Sequence, residues 1–142
     1  MKKSFTNILL IFLLSVIVIG CSRKKDKFLN KNFHSLTTKY NFLFNGNNLY
    51  AEGLIDLENE VKENFWGLLP IEKFKYYDID DEDRETNFTR SEEKATLAIQ
   101  KHSMNVDGKE RNPIMDQAYF LLGKSRYFDN RFIPALEAFN YI

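Results

Sequence analysis

The reading of the whole chain turns on residues 116–142, DQAYFLLGKSRYFDNRFIPALEAFNYI. Tyr119 is followed by Leu122-Gly123 and Tyr127, the polar pair Asp129-Asn130 interrupts, and Ala135 and Phe139 then stand four apart. Helical spacing on both sides of a polar break predicts a helix, a turn and a second helix. The small residues Ala118, Gly123, Ala135 and Ala138 fall where two helices must approach closely, and aromatics fill the places beside them.

That layout resembles the tetratricopeptide (TPR) repeat, with Asp116 at repeat position 1 and with Tyr119-x2-Leu122-Gly123 and Ala135-x3-Phe139 on the repeat pattern. Two positions depart from it. Arg126 stands where the repeat has a Tyr, which here follows at Tyr127, and the closing Pro would fall after Ile142. An ordinary amphipathic helical hairpin is the alternative. A TPR unit cannot bury its apolar face alone, and Tyr141-Ile142 carries no Gly, Asn or polar cap, so the chain is expected to be the N-terminal part of a longer helical array.

The other end is of a different kind. MKKSFTNILLIFLLSVIVIGC has two lysines, then an apolar run over residues 8–19 broken only by Ser15, then Gly20 and Cys21. Such a run is too short to span a bilayer, which takes about 20 residues, and its flanks are those of a signal peptide. Val18-Ile19-Gly20-Cys21 resembles a bacterial lipobox, which implies cleavage before Cys21, a thioether-linked diacylglycerol on its thiol and an acylated amino terminus. Cys21 is the only cysteine of the chain, so no internal disulfide can form, and lipidation would consume a thiol that is otherwise a liability after export. A free Cys ending an ordinary signal is the alternative. Several acyl chains give stable anchoring where one is marginal. Ser22-Arg23-Lys24-Lys25 carries neither the Asp that favours inner-membrane retention nor an acidic surface-export cluster, which places the protein on the periplasmic face of the outer membrane. That basic run either rests on anionic headgroups or is a solvated linker.

Removing Lys2 and Lys3 with the leader leaves 18 basic against 20 acidic side chains, without the clustered basic face that nucleic-acid binding needs. Thirteen Phe argue for a packed helical array rather than a disordered tail. The expected fold is all-α, a series of TPR-type hairpins forming an α-solenoid behind a lipoprotein signal peptide. Its parts are the signal at 1–20, a tether at 21–31, a helical hairpin at 32–66, an irregular acidic linker at 67–88, a helix at 89–104 and the truncated TPR repeat at 113–142.

In the first hairpin Leu36, Tyr40, Leu43 and Phe44 share one helical face, Asn45-Gly46-Asn47-Asn48 reads as a turn, and Tyr50, Leu54, Leu57 and Val61 form the second face. It is either a degenerate TPR, with Gly53 and Leu57 in the places of Ala135 and Phe139, or an unrelated helical pair. The apolar, Gly- and Pro-broken residues 65–71 are expected to pack across neighbouring helices. The run Asp78-Ile79-Asp80-Asp81-Glu82-Asp83 lacks the Gly and Glu that an EF-hand loop requires and reads as a solvated linker. Thr89 and Glu92 are spaced as a capping box for a helix whose face is Ala95, Ala98, Ile99 and His102. Asn105 to Asn112 is a turn-rich loop around Asp107-Gly108, Asn112-Pro113 opens the next helix, and Pro134 suits the first turn of the last one.

No catalytic motif is present: there is no HExxH, CxxC or G-x-S-x-G, His34 falls at the tether and His102 reads as a charge at a helix C-terminus. The expectation is a protein that is not an enzyme, with no cofactor, no metal, no nucleic acid and no small-molecule substrate.

Three runs narrow the resemblance: Phe65-Trp66 through Leu69-Pro70-Ile71-Glu72-Lys73, then Ala98-Ile99-Gln100-Lys101-His102-Ser103-Met104, then Ile133-Pro134-Ala135-Leu136-Glu137-Ala138-Phe139-Asn140-Tyr141-Ile142. Together they resemble the SprE/PorW family, TPR lipoproteins of Bacteroidota associated with type IX secretion and gliding motility. The resemblance implies an adaptor under the outer membrane that links parts of that apparatus through protein partners. TPR arrays bind on a concave face through first-helix positions that here hold Gln117, Phe120, Lys124, Tyr127 and Phe128. Aromatics and one cation on an open face suit protein recognition, although Phe120 and Phe128 could equally pack on an adjoining repeat. A TPR lipoprotein of outer-membrane barrel assembly and a SusD-type glycan-binding lipoprotein are the competing readings.

Overall fold

A computed structural model describes residues 23–24, 26–69, 71–75 and 85–142. The leader, Cys21 and the acidic run 78–83 lie outside the described residues. About two thirds of what is described is helix, 65%. The elements are α1 (Phe28–Thr37), a π-helical stretch (Thr38–Leu43), α2 (Phe44–Glu60), α3 (Asn87–His102), a two-stranded hairpin of β1 (Asn105–Val106) and β2 (Lys109–Glu110), α4 (Met115–Phe128) and α5 (Phe132–Phe139). The described residues are all-α apart from that small antiparallel pair, whose turn holds Asp107 and Gly108 at positive φ.

The expected turn at residues 45–48 is absent. Residues 28–60 form one continuous helical rod, with helical backbone at Thr38 and Phe44 where one type of helix passes into the next. There is therefore no hairpin at 32–66, and the tether ends before Phe28. Asn-Gly-Asn-Asn is turn chemistry only when its glycine is needed for a turn. Here Gly46 is buried under two other helices: a Cβ on it would stand 2.7 Å from Leu121 Cδ2 and 3.3 Å from Lys94 Cβ. The hydroxyl of Ser91 donates to its carbonyl at 2.8 Å. The neighbouring Asn45 and Asn47 turn their amides back onto the carbonyls of Asn41 and Leu43, bonds made inside a helix.

The π stretch sets the phase of the rod. Its buried residues are Asn30, His34, Thr38, Leu43, Gly46, Gly53 and Leu57. The five-residue step from Thr38 to Leu43 would leave the buried face of a straight α-helix, and the wider turn of the π-helix brings Leu43 back under the bundle. Thr38 also donates its hydroxyl to the His34 carbonyl at 2.7 Å.

Helix α3 starts one turn earlier than the Thr89–Glu92 spacing suggests. Thr86 is the cap: its hydroxyl accepts from the Thr89 backbone at 3.0 Å, and the Thr89 hydroxyl accepts from the Thr86 backbone at 2.8 Å, a reciprocal capping box. Asn112 precedes α4 in a turn, accepting from Ile114 N at 3.1 Å, and α4 itself begins at Met115.

Packing runs along the chain, α2 on α3, α3 on α4 and α4 on α5, with α1 lying on α3. The core is Leu43, Leu121 and Leu122 among four alanines, Ala95, Ala98, Ala118 and Ala138, so the helices approach closely. Polar side chains cross the same space in satisfied chains: Ser125 donates to Ser91, which donates to Gly46. The apolar residues 65–71 do not pack as expected: Phe65, Trp66, Leu68 and Ile71 are exposed, Trp66 to 99%. The residue that crosses to the helices is Phe74, whose ring meets Tyr127, Phe128 and Phe132. Beside it Asn130 donates to the Lys75 carbonyl at 2.6 Å.

Candidate functional site

Helices α4 and α5 form the hairpin expected at 113–142. Their contact is closest at Gly123, where an added Cβ would run into the ring of Phe139. Ala118, Ala135 and Ala138 are buried beside it. The turn is held from α3. Glu92 receives Arg126 Nε at 2.7 Å and also binds Arg131, which in turn donates to the buried Asp129 at 2.8 Å. Arg126 reaches across to the Pro134 carbonyl at 3.1 Å. Arg126 thus ties three elements together, and Glu92 serves this network rather than a helix cap.

The five residues assigned to the concave face divide in two. Gln117 and Phe120 are exposed, Phe120 touching Phe139 at a centroid distance of 6.0 Å. Phe128 does not belong to an open face. It stacks on Phe88 of α3 at 5.6 Å and on Phe74 at 5.7 Å, and meets Tyr50 of α2 edge-on at 5.8 Å. Half-buried by these rings, Phe128 joins three elements in an aromatic cluster. Tyr127 is edge-on to Phe74 and Phe132, and a hydrogen bond to Glu72 raises its hydroxyl pKa.

Lys124 lies between the two groups. Its Nζ is 4.4 Å from the centroid of Tyr50 and 4.9 Å from that of Phe120, a cation held against two rings. Burial holds its pKa below the ordinary lysine value. It joins α4 to α2 as much as it faces solvent. What remains open for a partner is the strip of Gln117 and Phe120, with Lys124 at its edge.

His34 is not in a tether, and His102, though at the helix end where its spacing puts it, is not a charge there. His34 lies buried on α1, and its Nδ1 is 2.8 Å from Nδ1 of the buried His102 at the end of α3. His102 is not a helix-terminal charge. Burial first, then the neighbouring His34, Arg23 and Lys101, lower its pKa to about 4, so it is neutral at pH 7. The amide of Asn112 closes the cluster, donating to the His102 carbonyl at 3.0 Å and to Thr38 Oγ1 at 3.2 Å. Among the described residues no three of His, Cys, Asp or Glu are grouped as a metal would require. A cleft of about 470 Å³ between α2 and the start of α3 is ringed by charges that already bind one another, Lys75 to Glu60, Arg90 to Glu85 and Asn87 to Asp56.

Cys21 lies outside the described residues, and no helix among those described is long and apolar enough to cross a membrane. No protein-family model matches the chain, and no curated protein matches it.

Proposed function

We propose that this chain is a non-enzymatic TPR-type scaffold, anchored through a lipidated Cys21 to the periplasmic face of the outer membrane. It serves type IX secretion and gliding motility by binding protein partners, as the resemblance to the SprE/PorW family implies. The observation that carries the repeat reading is the α4–α5 hairpin: Gly123 under Phe139, with Ala118, Ala135 and Ala138 buried, is the close approach that the Leu-Gly and Ala-x3-Phe signature calls for. The succession of contacts from α2 to α5 is also what a helical array requires. Partner binding falls to the exposed Gln117 and Phe120, which lie on the first helix of that hairpin.

The test is genetic. Deleting the gene from its host should abolish secretion of type IX cargo and surface spreading, and the wild-type gene should restore both. A Cys21→Ser gene should fail to incorporate a fatty-acid analogue and restore neither. Normal secretion and spreading in the deletion strain would remove the family reading, and undiminished labelling of Cys21→Ser would remove the anchor.

A further inference from the structure

Helix α1 is inside out with respect to the bundle it belongs to. The face it turns to α3 is polar, with Asn30, His34 and Thr38 at most 4% exposed. The face it turns away carries Leu29, Phe33, Leu36, Tyr40 and Phe44, all exposed, Leu29 to 73%. These five follow one another at steps of four, three, four and four residues, so they form one unbroken stripe along α1 and the π stretch into α2. An isolated exposed leucine needs no account, but a row of large apolar side chains opposite a polar buried face marks a surface with a partner of its own.

The charge beside the stripe identifies that partner. Between Cys21 and Ala51 the sequence has six basic residues, Arg23, Lys24, Lys25, Lys27, Lys31 and Lys39, and a single acid, Asp26. That acid is engaged by Arg111 at 3.4 Å. Lys39 Nζ sits over the ring of Tyr40, 5.4 Å from its centroid, so a cation and an aromatic of the stripe share one patch. A row of large apolar groups with Lys39 beside it, on a segment whose N-terminal end carries Arg23, Lys24, Lys25 and Lys27, suits a helix that lies in the interface of an anionic bilayer, its apolar side among the acyl chains and this basic end at the headgroups. A protein partner for the same stripe would gain nothing from so one-sided a charge unless it were itself strongly acidic.

We propose that α1 and the π stretch dock flat on an anionic phospholipid surface through Leu29, Phe33, Leu36, Tyr40 and Phe44. The inference rests on the membrane-anchored reading of the chain and adds an orientation to it: the bundle is held against the bilayer by this helix, with α4 and α5 displayed from it.

The test uses the mature chain, residues 21–142, with Cys21→Ser, so that neither the apolar leader nor a lipid can be mistaken for docking of the stripe. A single cysteine is introduced at Leu36→Cys in the stripe, or at the exposed Glu93→Cys on α3 as a reference, and labelled with an environment-sensitive fluorophore. Vesicles of phosphatidylethanolamine and phosphatidylglycerol should shift the Leu36→Cys label to the blue and make it accessible to a nitroxide quencher in the acyl region, and leave the Glu93→Cys label aqueous. Lys27→Gln with Lys39→Gln should lower the docked-to-free ratio about thirtyfold, since each basic residue near such a surface contributes roughly 1 kcal/mol. An aqueous Leu36→Cys label on these vesicles overturns the proposal. So does equal burial on pure phosphatidylcholine, and so does burial without vesicles in a sample that sediments as a dimer, which would give the stripe to a second copy.

Discussion

The Nδ1 atoms of His34 and His102 face each other at 2.8 Å, joining α1 to the end of α3. Two neutral rings can share one proton there, one donating and one accepting, whereas two protonated rings can only repel. The rings are tilted against each other with centroids 5.1 Å apart, Phe33 and Phe42 pack on them, and the nearby cations are Arg23 and Lys101. Nothing on this side favours a positive imidazole.

A stability dependence on pH follows. The folded pKa of His102 lies at about 4, below the ordinary 6.5, and that of His34 is lowered too, chiefly by burial. The unfolded chain therefore binds more protons than the folded one below pH 6.5, so the contribution of the pair is complete above 6.5 and is lost as the pH falls towards 4. Thermal melting followed by circular dichroism should show a Tm that drops between pH 6.5 and 5, before most carboxylates titrate. The double substitution His34→Gln with His102→Gln should flatten that slope. An equal slope in both proteins would place the effect elsewhere.

The hairpin contact predicts a steric cost. At Gly123 any side chain meets the Phe139 ring, so Gly123→Val should destabilise by about 2 kcal/mol through overpacking, with its poorer helix propensity a smaller part. Shortening the opposing ring should relieve it: Phe139→Leu is expected to cost less in the Gly123→Val background than alone. Denaturant midpoints for the four proteins measure this coupling, and strict additivity would mean that the two residues do not meet.

Glu92 holds Arg126 and Arg131 at once, and its side chain is only 15% exposed. Glu92→Ala removes the carboxylate that the Arg126 and Arg131 guanidinium groups share, and should cost about 2 kcal/mol, less than a fully buried ion pair because the Arg131 side chain is 40% exposed. Glu92→Gln, which keeps the shape and one acceptor, should cost less. Urea titration separates them; equal loss would show that shape and not charge matters here.

Much of this arrangement was legible because local and tertiary requirements agree. In α3 the spacing of Ala95, Ala98 and His102 picks the buried face, and in the last hairpin the small residues mark the close approach before any contact is seen. Misreadings arose where a residue has a local meaning that packing overrides. Asn45-Gly46-Asn47-Asn48 has the composition of a turn, yet Gly46 is required by the passage of Leu121 and Lys94 over the helix. Leu36, Tyr40 and Phe44 have the spacing of a core face and form the outer one, since periodicity gives the side but not its direction. Repeat position alone leaves Phe128 open between a binding face and packing, because it cannot reveal Phe74 and Phe88, which come from elsewhere in the chain to stack on it. Of the five residues that repeat position assigns to a binding face, Gln117 and Phe120 are the two left exposed.

The two phenylalanines of α4 separate folding from binding. Phe128 is stacked between Phe88 and Phe74 and touches Tyr50, so Phe128→Ala opens a void at the meeting of three elements and should cost about 3 kcal/mol, near the lower end for a Phe→Ala change in a core. Phe120 is 50% exposed, and its contacts are Phe139 and the ammonium of Lys124. Phe120→Ala should therefore cost about 1 kcal/mol or less, in the range of a cation–π contact at a partly exposed site. If the exposed strip of α4 is where a protein partner binds, the order reverses in the cell. Phe120→Ala, and an isosteric charged change such as Gln117→Glu beside it, should leave the protein at normal abundance while reducing type IX secretion and spreading. Phe128→Ala should act only through loss of protein, and a lower growth temperature that restores its abundance should restore function with it. Abundance by immunoblot against secreted cargo, measured for the three variants in one strain, decides the matter: full function with Phe120→Ala and Gln117→Glu combined would take partner binding away from this helix.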